Sequence, residues 1–157
     1  MRRVAPGTLA PALLAALAAL APAHARADRG ELLWGGAAVG ELPRAAGVDG
    51  LAQLGLTDVL WLRGSVGGRY RFAGVAGEAL VGLVGAWDVL AWVPEVSVSA
   101  GATVGSQTDL ELQVGAGLRR WVGLDTSFTI VLSGGYRPRL GERYGTLAIG
   151  LWWRRSP

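Results

Sequence analysis

The chain has 157 residues, with 15 arginines, no lysine, 12 acidic side chains, one histidine and no cysteine. That is one domain's length. The surplus of positive charge sits in Arg2, Arg3 and Arg26, so residues 28–157 hold 12 charges of each sign, and the basic balance of the whole chain is no evidence for a nucleic-acid partner, which requires a basic face. The lack of cysteine excludes a disulfide framework and a lipid-modified cysteine.

Residues 1–27 read as a signal peptide. Arg2 and Arg3 precede an apolar run that is densest from Leu13 to Ala21, and the run ends in small residues that suit cleavage after Ala25 or Ala27. An alanine-rich stretch this short falls below the roughly 20 apolar residues of a spanning helix. The only histidine, His24, lies in this leader. The remaining domain, 28–157, therefore lacks the commonest general base, a thiol nucleophile and two common metal ligands. No enzyme activity, cofactor or metal is expected of it.

Beyond the leader, apolar side chains recur at every second position rather than at helical spacing. In Leu110-Glu111-Leu112-Gln113-Val114-Gly115-Ala116-Gly117-Leu118-Arg119, apolar side chains occupy the even positions and polar or very small ones the odd positions. In a strand these sets point to opposite faces. The same alternation predicts strands near 31–40, 50–56, 59–72, 77–88, 93–104, 109–119, 124–136 and 144–154. Strands of about ten residues suit a tilted membrane crossing better than a soluble sandwich. Eight is the smallest usual number for an outer-membrane barrel, so the reading is all-β: an eight-stranded antiparallel up-and-down transmembrane β-barrel. A barrel of that size is filled by its own side chains, which predicts a plug rather than a pore.

The aromatic residues orient such a barrel. Trp34, Trp61, Trp87, Trp92, Trp121, Trp152 and Trp153 gather at the end that holds the predicted turns near 57–58, 89–92 and 120–123. Tyr70, Phe72, Tyr136 and Tyr144 gather at the other. Tryptophan and tyrosine favour the headgroup level of a bilayer, so two girdles follow, formed by Trp34, Trp61, Trp87, Trp92, Trp121 and Trp153 at one rim and Tyr70, Tyr136 and Tyr144 at the other. Trp61 to Tyr70 and Tyr144 to Trp153 are each nine residues, or roughly 23 Å across the membrane at ~3.3 Å per residue and a tilt near 40°. These pairs have opposite strand parity, so a bulge or an inward ring is required somewhere.

With the polar face turned inward, the interior would hold Arg63, Arg69, Arg71 and Arg119 with Glu78, Asp88, Glu95 and Glu111. Charges in a low-dielectric interior must pair, and a tight loop at 73–76 would set Arg71 across from Glu78. Removing Glu78 is then expected to lower resistance to unfolding sharply. With every acidic candidate matched by an arginine, a paired-carboxylate hydrolase is disfavoured. Loops at the tyrosine end are expected near 41–49, 73–76, 105–108 and 137–143, and Arg137, Arg139 and Arg143 there could meet lipopolysaccharide phosphates.

The segments Gly55-Leu56-Thr57-Asp58-Val59-Leu60-Trp61-Leu62-Arg63 and Gly85-Ala86-Trp87-Asp88-Val89-Leu90-Ala91-Trp92-Val93-Pro94 resemble small outer-membrane β-barrel proteins of the OmpA/OmpX-like class. The resemblance covers most of 31–155. It implies residence in the outer membrane of a Gram-negative envelope and insertion by the barrel-assembly machinery; outer-membrane lipid and lipopolysaccharide are the expected partners. Members commonly finish on an aromatic residue, whereas Trp153 is followed here by Arg154-Arg155-Ser156-Pro157. A structural or envelope-integrity role leads. The competing reading is a soluble periplasmic lipocalin-like barrel with an apolar ligand, which would need an apolar interior and a polar exterior.

Overall fold

The computed structural model describes residues 30–42, 45–71, 74–87, 92–122 and 124–155; the expected leader lies outside the described residues. Eight strands follow in chain order: β1 Leu32–Leu42, β2 Ala45–Gly55, β3 Leu60–Arg71, β4 Gly74–Ala86, β5 Trp92–Val104, β6 Thr108–Trp121, β7 Thr126–Arg137 and β8 Glu142–Arg155. Each pairs antiparallel with its neighbours, and β1 closes on β8 through a register that sets Trp34 opposite Trp153. Closure leaves no unpaired sheet edge.

Period-two patterning sets which face goes where. On β6, Asp109, Glu111 and Arg119 are buried, while Leu110, Leu112, Val114 and Leu118 are exposed. On β3 the inward set is Trp61, Arg63 and Arg69, and the outward set is Leu62, Val66 and Tyr70. The outer surface is thus apolar and the interior charged, the reverse of a soluble barrel.

Two of the expected loops are strand. Residues 41–49 have the Gly, Ala, Pro and Asp content of a loop, yet β1 runs on to Leu42 and β2 starts at Ala45, with Glu41 facing Ala45 and Gly40 facing Ala46. Each added residue here is paired on both sides, to β8 or to β3, and ladder pairing outweighs weak intrinsic propensity. Likewise β4 begins at Gly74, so Arg71 pairs with Gly74 and Glu78 with Gly67. The expected juxtaposition of Arg71 and Glu78 does not occur, because the β3–β4 connection is shorter than supposed.

At the opposite end, the Gly55-Leu56-Thr57-Asp58 turn has a clear mechanism. The Thr57 hydroxyl accepts from the Val59 and Leu60 amides at 3.3 and 3.0 Å, and the Leu60 carbonyl accepts from the Leu56 and Thr57 amides at 2.9 and 3.0 Å. Threonine serves here by standing in for a backbone acceptor.

Between β4 and β5 the backbones approach closely at Gly101, where an added Cβ would run into the Ala79 carbonyl and the Leu80 backbone. Gly101→Ala is expected to cost about 1–3 kcal/mol through overpacking. Gly134→Ala, whose Cβ meets nothing within 4 Å, is expected to be neutral. Denaturant midpoints of the two variants in one detergent check the contrast; equal midpoints would refute it.

Candidate functional site: a charged interior in two layers

The inward side chains sort into layers along the barrel. Nearest the ends that carry Leu32 and Arg155, an apolar cluster of Leu33, Trp61, Val84, Ala86, Val93 and Trp152 fills the lumen, with Leu51 and Trp121 packed against it. Above it stands the first ionic layer. Glu95 is held by Arg63 at 2.8 Å and by Arg119 at 3.0 Å. The Gln53 carbonyl accepts from the same two guanidiniums at 3.4 and 2.6 Å. Both cations lie over the Trp152 ring, 5.2 and 5.0 Å from its centroid, and the Trp152 indole N–H donates to Thr129 at 2.9 Å. The ring therefore floors the layer, with its face toward the charges.

The second layer lies toward the other end and is richer in carboxylates. Arg69 binds Asp49 through both terminal nitrogens and Glu78 at 2.8 Å. Arg137, fully buried at 0% exposure, clamps Glu41 with two bonds of 2.9 Å, reaches Glu142 at 3.1 Å and contacts Glu111 at 3.4 Å. Glu111 also accepts from the hydroxyls of Thr103 and Tyr144. The Tyr144 ring lies across Gly135, where a Cβ would overlap it, and under the Arg137 guanidinium, 4.0 Å from the ring centroid. Five carboxylates (Glu41, Asp49, Glu78 and Glu111 inside, Glu142 at the rim) thus meet two guanidiniums, whereas in the first layer two guanidiniums meet Glu95. A cavity of about 80 Å3, lined in part by Ser65, Ser97, Ser99, Gln113, Ser133 and Thr146, separates them. At ~10–15 Å3 per water it has room for several.

Of the residues expected inside, Arg63, Arg69, Glu78, Glu95, Glu111 and Arg119 join these layers. Asp88 and the Arg71 side chain lie outside the described residues. Sequence reasoning missed Glu41, Asp49, Gln53 and Arg137. The first two were hidden by the supposed loop, and Arg137 by ending β7 one residue early, although all four share the inward parity of their strands. Because Arg69 keeps Asp49 when Glu78 is removed, Glu78→Ala is expected to cost about 1.5–3 kcal/mol, the scale of one charge-assisted hydrogen bond. That loss is smaller than the sharp one expected before, and a measured loss above 3 kcal/mol would refute the sharing of Arg69.

The aromatic girdles need correction too. Trp34, Trp92, Tyr70 and Tyr136 are exposed on the outer face, and Trp153 stacks on Trp34 with centroids 4.9 Å apart. Arg120 caps the Trp92 ring at 5.1 Å, and Trp87 is half-buried beyond the end of β4. Trp61 and Tyr144, however, are buried at 5% and 7% exposure. Trp121 turns inward beside Arg154, whose guanidinium lies 4.4 Å from its ring centroid. These are the inward rings that the opposite parity of the nine-residue pairs required. The expected arginine cluster is divided as well. Arg137 points inside, Arg139 reaches the Thr108 carbonyl at 3.5 Å with its backbone held by Asp109, and Arg143 is exposed on the outer face.

A closed, up-and-down, eight-stranded sheet with an apolar outside and an ion-paired inside decides the structural class. The fold is that of small transmembrane β-barrels. The N-terminal β-barrel domain of Pseudomonas aeruginosa OprF superposes with a TM-score of 0.69 at 16% identity, covering 81% of this chain and 98% of that one. A de novo designed transmembrane β-barrel gives 0.63 at 18% identity over 82% and 98%. Ail, the attachment invasion locus protein of Yersinia pestis, gives 0.55 at 15% over 80% and 97%. No protein-family model and no curated relative matches the sequence.

Proposed function

We propose that the chain is an integral outer-membrane β-barrel with a structural, envelope-supporting role, without a conducting pore and without enzyme activity. The inversion of its faces carries this reading. Leucine, valine and isoleucine cover the outside while the charges pair within, an arrangement favourable only where lipid replaces water around the sheet. On β8 the outward arginines Arg143 and Arg155 bracket Leu147, Ile149, Leu151 and Trp153. Their separation is roughly 30 Å at ~3.3 Å per residue and a tilt near 40°. Both guanidiniums would then reach the headgroups on either side of a ~25 Å apolar band. The apolar cluster under the first ionic layer supports a plug. Each interior carboxylate named above is held by a guanidinium or, for Asp109, by the Arg139 and Leu140 backbone amides, so none is presented to a substrate.

Gel mobility of the outer-membrane fraction, boiled against unboiled, tests the location, and planar-bilayer recording tests the plug. A compact unboiled band that shifts on boiling is expected, with no conductance steps above the bare bilayer. A soluble, non-shifting periplasmic protein would overturn the location. Regular single-channel steps would overturn the plug.

A further inference from the structure

The outer face is not uniform. On β1, β2 and β3 small outward residues such as Gly36, Ala38, Gly50, Ala52 and Gly64 alternate with large ones such as Val48, Leu62 and Val66. On β4 to β8 two rows of outward positions cross the strands, the second of them open at Gly134. Register sets Val81 beside Ala100, Leu112, Tyr136 and Arg143 in one row, and Leu83 beside Val98, Val114 and Gly134 in the other. Between the rows lies a trough of about 820 Å3, floored by the backbone of the inward residues Gly82, Ser99, Gln113 and Gly135. It is open along its outer side, so it suits a ligand that lies along the sheet.

Its two ends differ chemically. Arg143 and Tyr136 stand opposite each other one residue from their strand ends, whereas Val81 and Leu83 lie well inside β4. Because the strands tilt by about 35–45° in such a barrel, a row perpendicular to them descends from the rim into the apolar band. Arg143 has no carboxylate partner among the described residues. Glu142 beside it turns to Arg137. The trough therefore joins an uncompensated guanidinium and a phenol hydroxyl at headgroup level to an apolar channel below.

That combination is complementary to one class of molecule. We propose that the trough is a binding site for a single phosphate-bearing lipid, with its phosphate on Arg143 and Tyr136 and one acyl chain lying between the two rows. A guanidinium and a hydroxyl supply the donors that a phosphate monoester or diester accepts. Four strand spacings of ~4.8 Å from β8 to β4 give roughly 19 Å of channel, about the length of a long acyl chain. Gly134 keeps the channel open, since a side chain there would project into it without meeting other atoms. The site rests on the reading that this outer face lies in a membrane.

The test uses the refolded full chain in a non-ionic detergent, with bound lipid counted by native mass spectrometry after adding dimyristoyl phosphatidic acid, dimyristoylglycerol or inorganic phosphate. One phosphatidic acid per barrel is expected, with neither dimyristoylglycerol retained nor inorganic phosphate competing. Arg143→Gln and Gly134→Leu are each expected to lower occupancy at least tenfold. Gly64→Leu, an equally unobstructed outward position on β3, is expected to leave it unchanged. Boiled and unboiled gel mobility of each variant shows that it is folded. Equal occupancy in wild type, Arg143→Gln and Gly134→Leu would overturn the site, as would loss in Gly64→Leu. Competition by inorganic phosphate would reduce it to an ion contact. Failure of the wild type to shift on boiling would instead overturn the membrane reading itself.

Discussion

Arg137→Met is expected to destabilise the barrel by about 3–5 kcal/mol, the cost of breaking a buried ion pair from one side. The guanidinium is fully buried and joins three carboxylates from different strands: Glu41 on β1, Glu111 on β6 and Glu142 on β8. Methionine fills much of the volume but leaves Glu41 without its two-bond clamp. Glu111 would then rely on the Thr103 and Tyr144 hydroxyls, and Tyr144 would lose the cation stacked on its ring. The rim pair with Glu142 contributes little, because that carboxylate is partly in water. Urea titration in a fixed detergent, scored by the folded band on unboiled gels, measures the loss. Restoring neutrality with Arg137→Met plus Glu41→Gln is expected to recover part of it. A single-variant loss below 1 kcal/mol would show that the carboxylates find other partners and that Arg137 is not the keystone of the second layer.

What the sequence made legible follows from which interactions are local. Alternation on β3, β5 and β6 is imposed by the pleat, so strand existence and the facing of Arg63, Glu95 and Glu111 could be read directly. Loop composition misled at 41–49, because Gly, Ala and Asp are weak strand formers whose pairing is set by β3 and β8 rather than by themselves. The girdles failed at Trp61, Trp121 and Tyr144 for a related reason. Position near a rim places a ring at headgroup height, but parity decides whether it faces lipid, and Trp61 shares the parity of Arg63 and Arg69. The individual ion pairs were beyond reach. Arg137 and Glu41 are 96 residues apart, and Arg119 and Gln53 are 66 apart, so their meeting depends on how the whole sheet closes.

The first ionic layer gives the sharpest charge test. Glu95 is the carboxylate that bridges Arg63 and Arg119, and Gln53 offers them only a neutral carbonyl. Glu95→Leu would leave the buried Arg119 and the half-buried Arg63 facing each other across Trp152, and a loss of about 3–5 kcal/mol is expected. Glu95→Gln retains an acceptor without the charge and is expected to cost less, since hydrogen bonding survives while Coulomb compensation does not. Removing one cation as well separates the two contributions. Glu95→Leu combined with Arg119→Met is expected to recover more than half of the loss, because the like-charge contact is gone and Trp152 can still face the Arg63 guanidinium. Double-mutant analysis of urea midpoints supplies the coupling directly. If the double variant is as unstable as the sum of its parts, the layer acts by packing around Trp152 rather than by charge, and its polar character would need another explanation.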